Sequence, residues 1–395
     1  MQVNHHATNP FNLSEEQNAV LEAADQFGQS ELYPLSEQMD RDEWWPPGLF
    51  RKMGEMGLLG ATVDPKYGGV GMDYLSAGLI AQAFGRWNHA VALSWVAHDN
   101  LCVDNLYRNG SEYLREKYLP GLCSGELVGC LGLTEPGAGS DALGSMRTTA
   151  VRDGDDYILN GRKIYITNGP IADLVLCYAK TDLDAGNKGI TAFVVETNAP
   201  GFAVAQKMTK MGFRGSQTAE LVFDDVRVPA KNILGIENRG HVVVMSGLDY
   251  ERAMIAPINV GISERALAIS VEYAKIREQF GRPISEFQMI QSKLADMYVW
   301  VETSRAYVHQ VLALCDATDK KESGRGEIHQ KTAASVMYAA NTCNRVLDEM
   351  VQIHGGTGYI WESEANRLFR ATKLLEIGAG TTEVRKMIIS KGLLK

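Results

Sequence analysis

The spacing of hydrophobic and polar positions changes twice along the chain, and this divides it into three zones. In the first zone, apolar residues recur at helical spacing, so that Val20, Ala24 and Phe27 share one helical face. Ser14 and Gln17 precede them in the arrangement of a capping box, in which each side chain bonds the backbone of the other. The pattern predicts a first domain made of helices.

The second zone has the short alternating runs of β-strands. Strand-like runs at 174–178, 190–195, 202–204 and 221–228 are separated by Gly, Pro, Asn and Asp. Residues 157–166 contain two apolar runs around an Asn-Gly pair, which predicts a hairpin with a tight turn there. Because no helix-length segment lies between these runs, the pattern argues against a doubly wound parallel sheet, and we expect a small antiparallel barrel or sandwich.

The third zone returns to helical spacing over 262–280, 287–315 and 328–353. Helices of this length usually pack as a bundle. The fold class is therefore α+β with several domains. The predicted domains are an N-terminal helical domain at residues 1–125, a middle antiparallel β domain at residues 126–237, and a C-terminal helical bundle at residues 238–395.

Composition and charge exclude several classes of function. The formal net charge of −9 argues against a nucleic-acid partner. The six cysteines form no CxxC pair and the eight histidines form no HExxH pattern, so no metal site is predicted. No run reaches the ~20 apolar residues that span a bilayer, and the first ten residues lack the features of a signal or transit peptide. We expect a cytoplasmic protein, as in a bacterium, or a mature protein of the mitochondrial matrix.

A glycine-rich segment at 133–141 carries the first candidate chemistry. Its sequence, LTEPGAGSD, would let backbone N–H groups approach an anion closely, with Thr134 and Ser140 as hydroxyl donors. The segment lacks the GxGxxG spacing and the βαβ context of a dinucleotide fold. Taken alone, it would more often be a surface turn than a ligand site.

Four further motifs change that interpretation. They are KIYITNG at 163–169, REQFGRPI at 277–284, QIHGGTGY at 352–359 and EIGAGTTEVR at 376–385. With the five motifs in this order, from about residue 13 to the C-terminus, the chain resembles the acyl-CoA dehydrogenase family. The resemblance implies an N-terminal helical domain, a middle β domain and a C-terminal four-helix bundle, with FAD between the last two. It also implies an acyl-CoA substrate, a homotetramer and an electron-transferring flavoprotein as electron acceptor.

The resemblance assigns cofactor contacts residue by residue. Thr167 would offer its hydroxyl to flavin N5, and Tyr165, where the family often has tryptophan, would lie against the ring. Arg277 and Phe280 would hold the FAD of a neighbouring subunit. The implied cofactor contacts are Leu133, Thr134, Gly139, Ser140, Tyr165, Thr167, Arg277, Phe280, Ile284, Gln352, Gly356, Thr381 and Glu383.

The catalytic base is the point at which the chain departs from many members of this family. They carry a glutamate just before the Gly-Thr pair near the C-terminus, where this chain has Ala379, which cannot accept a proton. Isovaleryl-type members resemble this chain in having alanine there and a glutamate in an Asp-x-Glu-Arg segment. The resemblance thus makes Glu251 the base, with its pKa raised from ~4.3 by burial.

The remaining substrate contacts follow from the same resemblance. Asp249 and Arg252 would lie on CoA, and the Ala379 N–H would meet the enolate oxygen. The acyl pocket is less defined: Trp95 would shorten it, and His98 and Asp99 are either structural or contacts to a polar tail. The implied substrate contacts are Trp95, Ser140, Asp249, Arg252, Gly378 and Ala379.

The sequence therefore predicts an FAD-dependent, isovaleryl-type dehydrogenase of short or branched-chain acyl-CoA. Two alternatives stay open. The fold could host other flavin chemistry, as in an acyl-CoA oxidase, a monooxygenase or a desulfinase, which oxygen reactivity of the substrate-reduced flavin would reveal. It could also be a non-enzymatic flavin or acyl-CoA binding protein, which would bind ligands tightly without flavin bleaching.

Overall fold

A computed structural model describes residues 13–318 and 326–394 of the chain. The interpretation of the first ten residues lies outside this range. The N-terminal domain is helical, as predicted, and the capping box of Ser14 and Gln17 is confirmed. Two π-helical segments, Gly28–Leu32 and Asp99–Asp104, interrupt its helices. Its helices are α1 (Glu15–Phe27), α2 (Ser36–Asp42), α3 (Leu49–Glu55), α4 (Tyr74–Trp87), α5 (His89–His98), α6 (Asn105–Asn109) and α7 (Glu112–Cys123).

The middle domain is one eight-stranded sheet in the order β6-β7-β3-β2-β4-β5-β8, with β1 beside β4. The predicted β domain is confirmed, and most pairs are antiparallel. Two pairings, β1–β4 and β2–β4, are parallel, which the sequence pattern did not indicate. The strands are β1 (Gly129–Gly132), β2 (Thr149–Asp153), β3 (Asp156–Thr167), β4 (Leu174–Lys180), β5 (Ile190–Glu196), β6 (Phe202–Lys207), β7 (Thr218–Pro229) and β8 (Ile233–Leu234).

The prediction of a hairpin turn at Asn160 and Gly161 is wrong. Strand β3 runs through this pair without turning, because it pairs with β7 on both sides of a bulge. Asn160 Oδ1 accepts from the backbone N–H of Asp225 across that bulge at 2.9 Å. The actual turn precedes β3 and uses Gly154, whose positive φ of 63° joins β2 to β3.

The C-terminal domain is built on one long helix. Helix α8 begins at Gly240, before the helical spacing that starts at 262, and has Pro257 in its interior. By length and composition α8 could cross a membrane, but 78% of its most apolar window is buried inside the protein, as in the core helix of a bundle. The other elements are β9 (Glu278–Gln279), β10 (Arg282–Pro283), α9 (Gln288–Ala317), α10 (Gly326–His354), α11 (Gly356–Tyr359), α12 (Glu364–Ala371) and α13 (Thr382–Leu393).

The position of α8 decides where a site can form. It packs against α9 and α10 on one side and against α4 of the N-terminal domain on another, so that one hydrophobic core spans both helical domains. Its first turns, with Val243 and Val244, join a second core that includes strands of the β domain. The N-terminal half of α8 therefore lies where all three domains meet.

Candidate active site

Glu251 lies inside this junction rather than on the surface. It is about three turns into α8 and only 9% exposed. Burial raises the pKa of Glu251 to about 7, and the positive charges of Arg252 and Arg385 oppose that rise. Within residues 13–318 and 326–394 its carboxylate makes no hydrogen bond. The carboxylate is therefore free to accept a proton at neutral pH.

Arg252 connects α8 to the segment that contains Ala379. Its Nε donates to the Ala379 carbonyl at 3.1 Å, and its NH1 donates to Asp249 at 3.2 Å. Asp249 is fully buried and also pairs with Nδ1 of His329 at 2.6 Å. The predicted CoA contacts Asp249 and Arg252 are thus joined in an internal network, and that network fixes the turn at Ala379 beside α8.

The turn at Ala379 has a strained backbone. Ala379 has a φ of 55° and Gly380 a φ of 93°, both in the left-handed region that a non-glycine residue rarely adopts. The Ala379 N–H finds no acceptor among the described residues. A free N–H next to a left-handed residue is the kind of group that binds an anionic oxygen. The geometry is therefore compatible with the predicted contact to an enolate.

A small cavity opens on the face of α8 that carries Glu251. Val244, Gly247 and Leu248 precede Glu251 by seven, four and three residues, so they share its helix face. Asn105 Nδ2 donates to the hydroxyl of Tyr178 at 3.3 Å at the wall of this cavity. The cavity is lined by Leu101, Asn105, Leu131, Leu133, Tyr178, Val244, Gly247 and Leu248.

The structure does not support a pocket role for Trp95. Its ring is fully buried in the helical core, packs edge-on against Phe84 and donates its indole N–H to the Leu58 carbonyl. It is not among the residues that line the cavity. A bulky residue in this helix therefore fills the core, because α5 presents this face to α4 rather than to the cavity.

His98 and Asp99 have structural roles, which is the first of the two interpretations that the sequence left open. Both nitrogens of His98 bond backbone groups, the Leu122 carbonyl and the Gly129 N–H, each at 3.0 Å. The Asp99 carboxylate accepts the Gly60 N–H at 2.5 Å. Burial lowers the pKa of His98 to about 4 and raises that of Asp99 to about 7. His98 thus holds the N-terminal domain to the start of the sheet, and Asp99 fixes a turn within that domain.

The first two motifs are tied together by a buried ion pair. Lys163, on β3, is fully buried and bonds the Glu135 carboxylate at 2.8 Å and the Leu133 carbonyl at 3.2 Å. The Ile164 N–H also donates to the Thr134 carbonyl at 2.8 Å. These bonds fix the glycine-rich segment against the strand that carries the second motif.

The surface above these bonds suits a flat, anionic cofactor. A bulge between Lys163 and Ile166 gives Tyr165 a φ of 62° and leaves its side chain 67% exposed. Exposed Gly139 has open space around the position that a Cβ would occupy, so a phosphate could approach its backbone. Thr167 ends β3 on the same strand. The residues present therefore fit the predicted FAD, with an aromatic ring and unhindered backbone N–H groups.

The third and fourth motifs, at 277–284 and 352–359, lie far from Glu251 within one chain. Arg277 directly follows α8, roughly 38 Å along the helix axis from Glu251. Phe280 is 94% exposed, whereas Ile284 is buried beside it. Gln352 and Gly356 are exposed near the same end of the bundle, where Tyr273 stacks on His354 with ring centroids 4.4 Å apart. These residues cannot reach the cavity of their own subunit.

The fifth motif ends in a residue that the sequence did not single out. Thr381 caps α13, its hydroxyl accepting the Val384 N–H, and Glu383 is exposed in the first turn. Arg385, in contrast, is fully buried and donates to the carbonyls of Leu375 and Gly378. An arginine beside apolar residues was the available signal, but its burial is visible only in the folded structure.

Comparison with known proteins agrees with this arrangement. Family models for the acyl-CoA dehydrogenase N-terminal, middle and C-terminal domains match residues 14–126, 130–226 and 238–394. Mitochondrial isovaleryl-CoA dehydrogenase of Solanum tuberosum is 45% identical, covering 96% of this chain and 90% of that protein. Mitochondrial 2-methylacyl-CoA dehydrogenase of the same plant is 43% identical, covering 97% and 92%.

A solved structure extends the agreement to the fold. Butyryl-CoA dehydrogenase of Megasphaera elsdenii superposes with a TM-score of 0.93 at 39% identity, covering 98% of this chain and all of that one. The three domains therefore coincide with one family along almost the whole chain. This chain belongs to the acyl-CoA dehydrogenase family of FAD-dependent oxidoreductases.

Proposed function

We propose that the protein dehydrogenates a short or branched-chain acyl-CoA, similar to isovaleryl-CoA, to the 2-enoyl-CoA, with Glu251 as the base. The observation that carries the proposal is the state of Glu251. Its carboxylate is buried and free of hydrogen bonds among the described residues, and Gly247 and Leu248, one turn before it on the same helix face, line an apolar cavity. A carboxylate with a pKa of about 7 can hold a proton taken from carbon, whereas an exposed one would be too weak a base.

The chain's own residues supply the proton chemistry. Glu251 would remove the proton α to the thioester, and the free N–H of Ala379 would bind the oxygen on which negative charge develops. Arg252 would hold that N–H in place through the Ala379 carbonyl. FAD, when bound, supplies the acceptor for the hydride that leaves the β carbon.

The wall of the cavity limits the size of the acyl group. Leu101, Leu131 and Leu248 leave only a small apolar space on the Glu251 face of α8, and Asn105 with Tyr178 closes part of it. Such a space favours a short or branched chain over a long one. The named relatives act on isovaleryl-, 2-methylacyl- and butyryl-CoA, which are all of this size class.

Replacement of the base tests the proposal. Glu251→Gln keeps the shape of the side chain but cannot take a proton, so flavin reduction by isovaleryl-CoA should fall by about 10²–10⁴-fold. Anaerobic rapid mixing would follow the loss of flavin absorbance, with isobutyryl-, butyryl-, octanoyl- and glutaryl-CoA as comparison substrates.

The matched control is Glu251→Asp, which keeps a carboxylate and should retain measurable reduction. FAD content and acyl-CoA binding of both variants should match those of the parent protein. Flavin reduction by Glu251→Gln at the parental rate would show that the base lies elsewhere.

We further propose that electrons leave to an electron-transferring flavoprotein and that the protein is a homotetramer. Phe280, in the turn between β9 and β10 after α8, is 94% exposed, which supports a contact outside the single chain. Rapid reoxidation of the reduced flavin by oxygen alone would favour the oxidase alternative, and slow reoxidation that an electron-transferring flavoprotein accelerates would favour the dehydrogenase.

A further inference from the structure

A chain of hydrogen bonds runs from α10 through α8 to the turn at Ala379. In the first turn of α10, Nδ1 of His329 lies 2.6 Å from Oδ1 of Asp249. An ionised carboxylate only accepts hydrogen bonds, so Nδ1 is the donor. Arg252 donates to the same Oδ1 through Nη1 at 3.2 Å and to the Ala379 carbonyl through Nε at 3.1 Å. Asp249 and Arg252 thus connect His329 to the turn.

His329 gives Asp249 a partner outside its own helix. Asp249 is fully buried, and a buried carboxylate needs donors to offset its loss of water. Arg252 is three residues further along α8, so this ion pair alone does not set the direction of either side chain relative to another element. The bond from His329 sets that direction from α10. The His329 side chain is 19% exposed, so its ring is at the outer end of the chain of bonds.

The first turn of α10 is itself held in place. Ile328 is buried in the core that the helical domains share. The hydroxyl of Thr332, which is fully buried, donates to the Ile328 carbonyl at 2.9 Å. His329 follows Ile328 directly, so its ring reaches Asp249 from a fixed part of the bundle.

At the other end of the chain of bonds, Arg252 lies along the strained turn. Besides its bond to the Ala379 carbonyl, its Nη2 is 3.8 Å from the position that a Cβ at Gly380 would occupy. Ala379 is in the left-handed region, which costs energy for a residue with a side chain and persists only where the surrounding structure holds it. A shift of Arg252 would therefore change the direction of the Ala379 N–H.

We infer that His329 is a positioning residue for removal of the α proton. Its bond orients Asp249, Asp249 orients Arg252, and Arg252 holds the turn whose N–H would bind the thioester oxygen. The inference rests on the proposed function, because it takes that oxygen to gain negative charge when Glu251 removes the α proton. His329 and Asp249 are 80 positions apart in the sequence, so no local pattern indicates this role.

Three substitutions separate the hydrogen bond from the shape of the side chain. His329→Leu keeps a side chain of similar bulk but has no donor. His329→Asn has an amide N–H close to the position of Nδ1 and should keep the bond. Glu327→Gln is the matched control, since Glu327 is in the same turn and its side chain is 70% exposed.

The first readout is the exchange of the α hydrogens of 3,3-dimethylbutyryl-CoA with solvent deuterium, followed by NMR. This thioester has no β hydrogen, so Glu251 can remove and return an α proton without transfer of hydride to FAD. His329→Leu should slow this exchange about tenfold, because a misdirected oxyanion donor loses part of the roughly 10²–10³-fold effect of an intact one. His329→Asn and Glu327→Gln should exchange at close to the parental rate.

The second readout is hydrogen–deuterium exchange of the backbone of residues 376–385, measured by mass spectrometry in the FAD-loaded protein without substrate. Among the three variants, only His329→Leu should make this exchange faster. Asp249→Asn interrupts the same chain of bonds, so its effect on α-hydrogen exchange and that of His329→Leu should not multiply in the double variant.

Unchanged rates of both exchanges in folded, FAD-containing His329→Leu would overturn the inference. So would equal slowing by His329→Leu and His329→Asn, or effects that multiply in the double variant. Slower flavin reduction in His329→Leu with isovaleryl-CoA but not with isovaleryl-pantetheine, which lacks the nucleotide, would also overturn it, because His329 would then be a contact to the nucleotide. If His329→Leu loosens residues 376–385 but Glu251→Gln exchanges the α hydrogens at the parental rate, the chain of bonds stands and the proposed function fails.

Discussion

At the scale of single residues, two residues one turn apart on α8 define the site, the buried charged Glu251 and the small Gly247. Glu251 is a charged residue on a helix face that is otherwise apolar or small, and Gly247 leaves a gap one turn before it. A Cβ added at Gly247 would lie 2.9 Å from Nδ2 of Asn105, which is closer than such contacts normally are. The absence of a side chain at Gly247 therefore sets the width of the cavity.

Gly247→Ala should narrow the cavity and discriminate against longer acyl groups. The ratio of kcat/KM for butyryl-CoA over octanoyl-CoA should rise by an amount equivalent to ~1–3 kcal/mol. Val244→Ala should lower that ratio, because a smaller side chain on the same wall widens the cavity. An identical substrate profile for both variants would show that this cavity does not receive the acyl chain.

At the scale of elements, strand β3 carries the cofactor motif and fixes the loop beside it. Lys163 points inward to Glu135, while the bulge after it turns Tyr165 outward. Burial alone would raise the pKa of Glu135, but Lys163 and the backbone N–H groups of the loop lower it. The buried ion pair between Lys163 and Glu135 thus links the first two motifs.

Lys163→Met should remove this ion pair and thereby lower both the stability of the protein and its affinity for FAD. It leaves the Glu135 carboxylate without its cation, which costs about 3–5 kcal/mol of unfolding free energy in buried pairs. We expect a lower denaturation midpoint and faster FAD release, both followed by flavin fluorescence.

The adjacent Arg162 provides the matched control for this prediction. Arg162 is on the same strand as Lys163 and pairs with Glu220 of β7 at 3.2 Å, but its side chain is 63% exposed. Arg162→Met should therefore cost no more than ~1 kcal/mol. Equal effects of the two substitutions would contradict a buried structural role for Lys163.

At the scale of the whole molecule, the length of α8 places Glu251 far from Arg277 and Phe280, two of the predicted FAD contacts. Glu251 lies at the three-domain junction, and Arg277 and Phe280 lie roughly 38 Å away at the other end of the helix. The proposed homotetramer would bring these residues to the cofactor of another subunit. FAD binding and assembly should therefore depend on each other.

Phe280→Asp should lower both the FAD content and the size of the assembly, because it places a charge on an almost fully exposed aromatic contact. Analytical ultracentrifugation with absorbance at the flavin wavelength measures both quantities. Leu183→Asp is the control, since Leu183 is 67% exposed on a loop of the middle domain. A tetramer with full FAD content in Phe280→Asp would exclude this coupling.

The sequence by itself determined the order of the three domains, because helical and strand spacings are local patterns that burial of one face imposes. It also determined the family, since five motifs in a fixed order leave little choice. It located the four later strands approximately, but it misread Asn160 and Gly161, because an Asn-Gly pair fits a bulge as well as a turn. The helical spacing at 262 marks only the later part of α8, because most residues of its first turns are buried and show no polar face.

Only the tertiary structure decided which residues surround Glu251. Arg385 follows it by more than a hundred positions, and Tyr178 precedes it on a strand of another domain, so no local pattern relates them. The same holds for Trp95, whose bulk suggested a pocket although α5 turns it into the core. The pKa of a carboxyl depends on desolvation and on charges within a few ångströms, and both are set by how the domains pack.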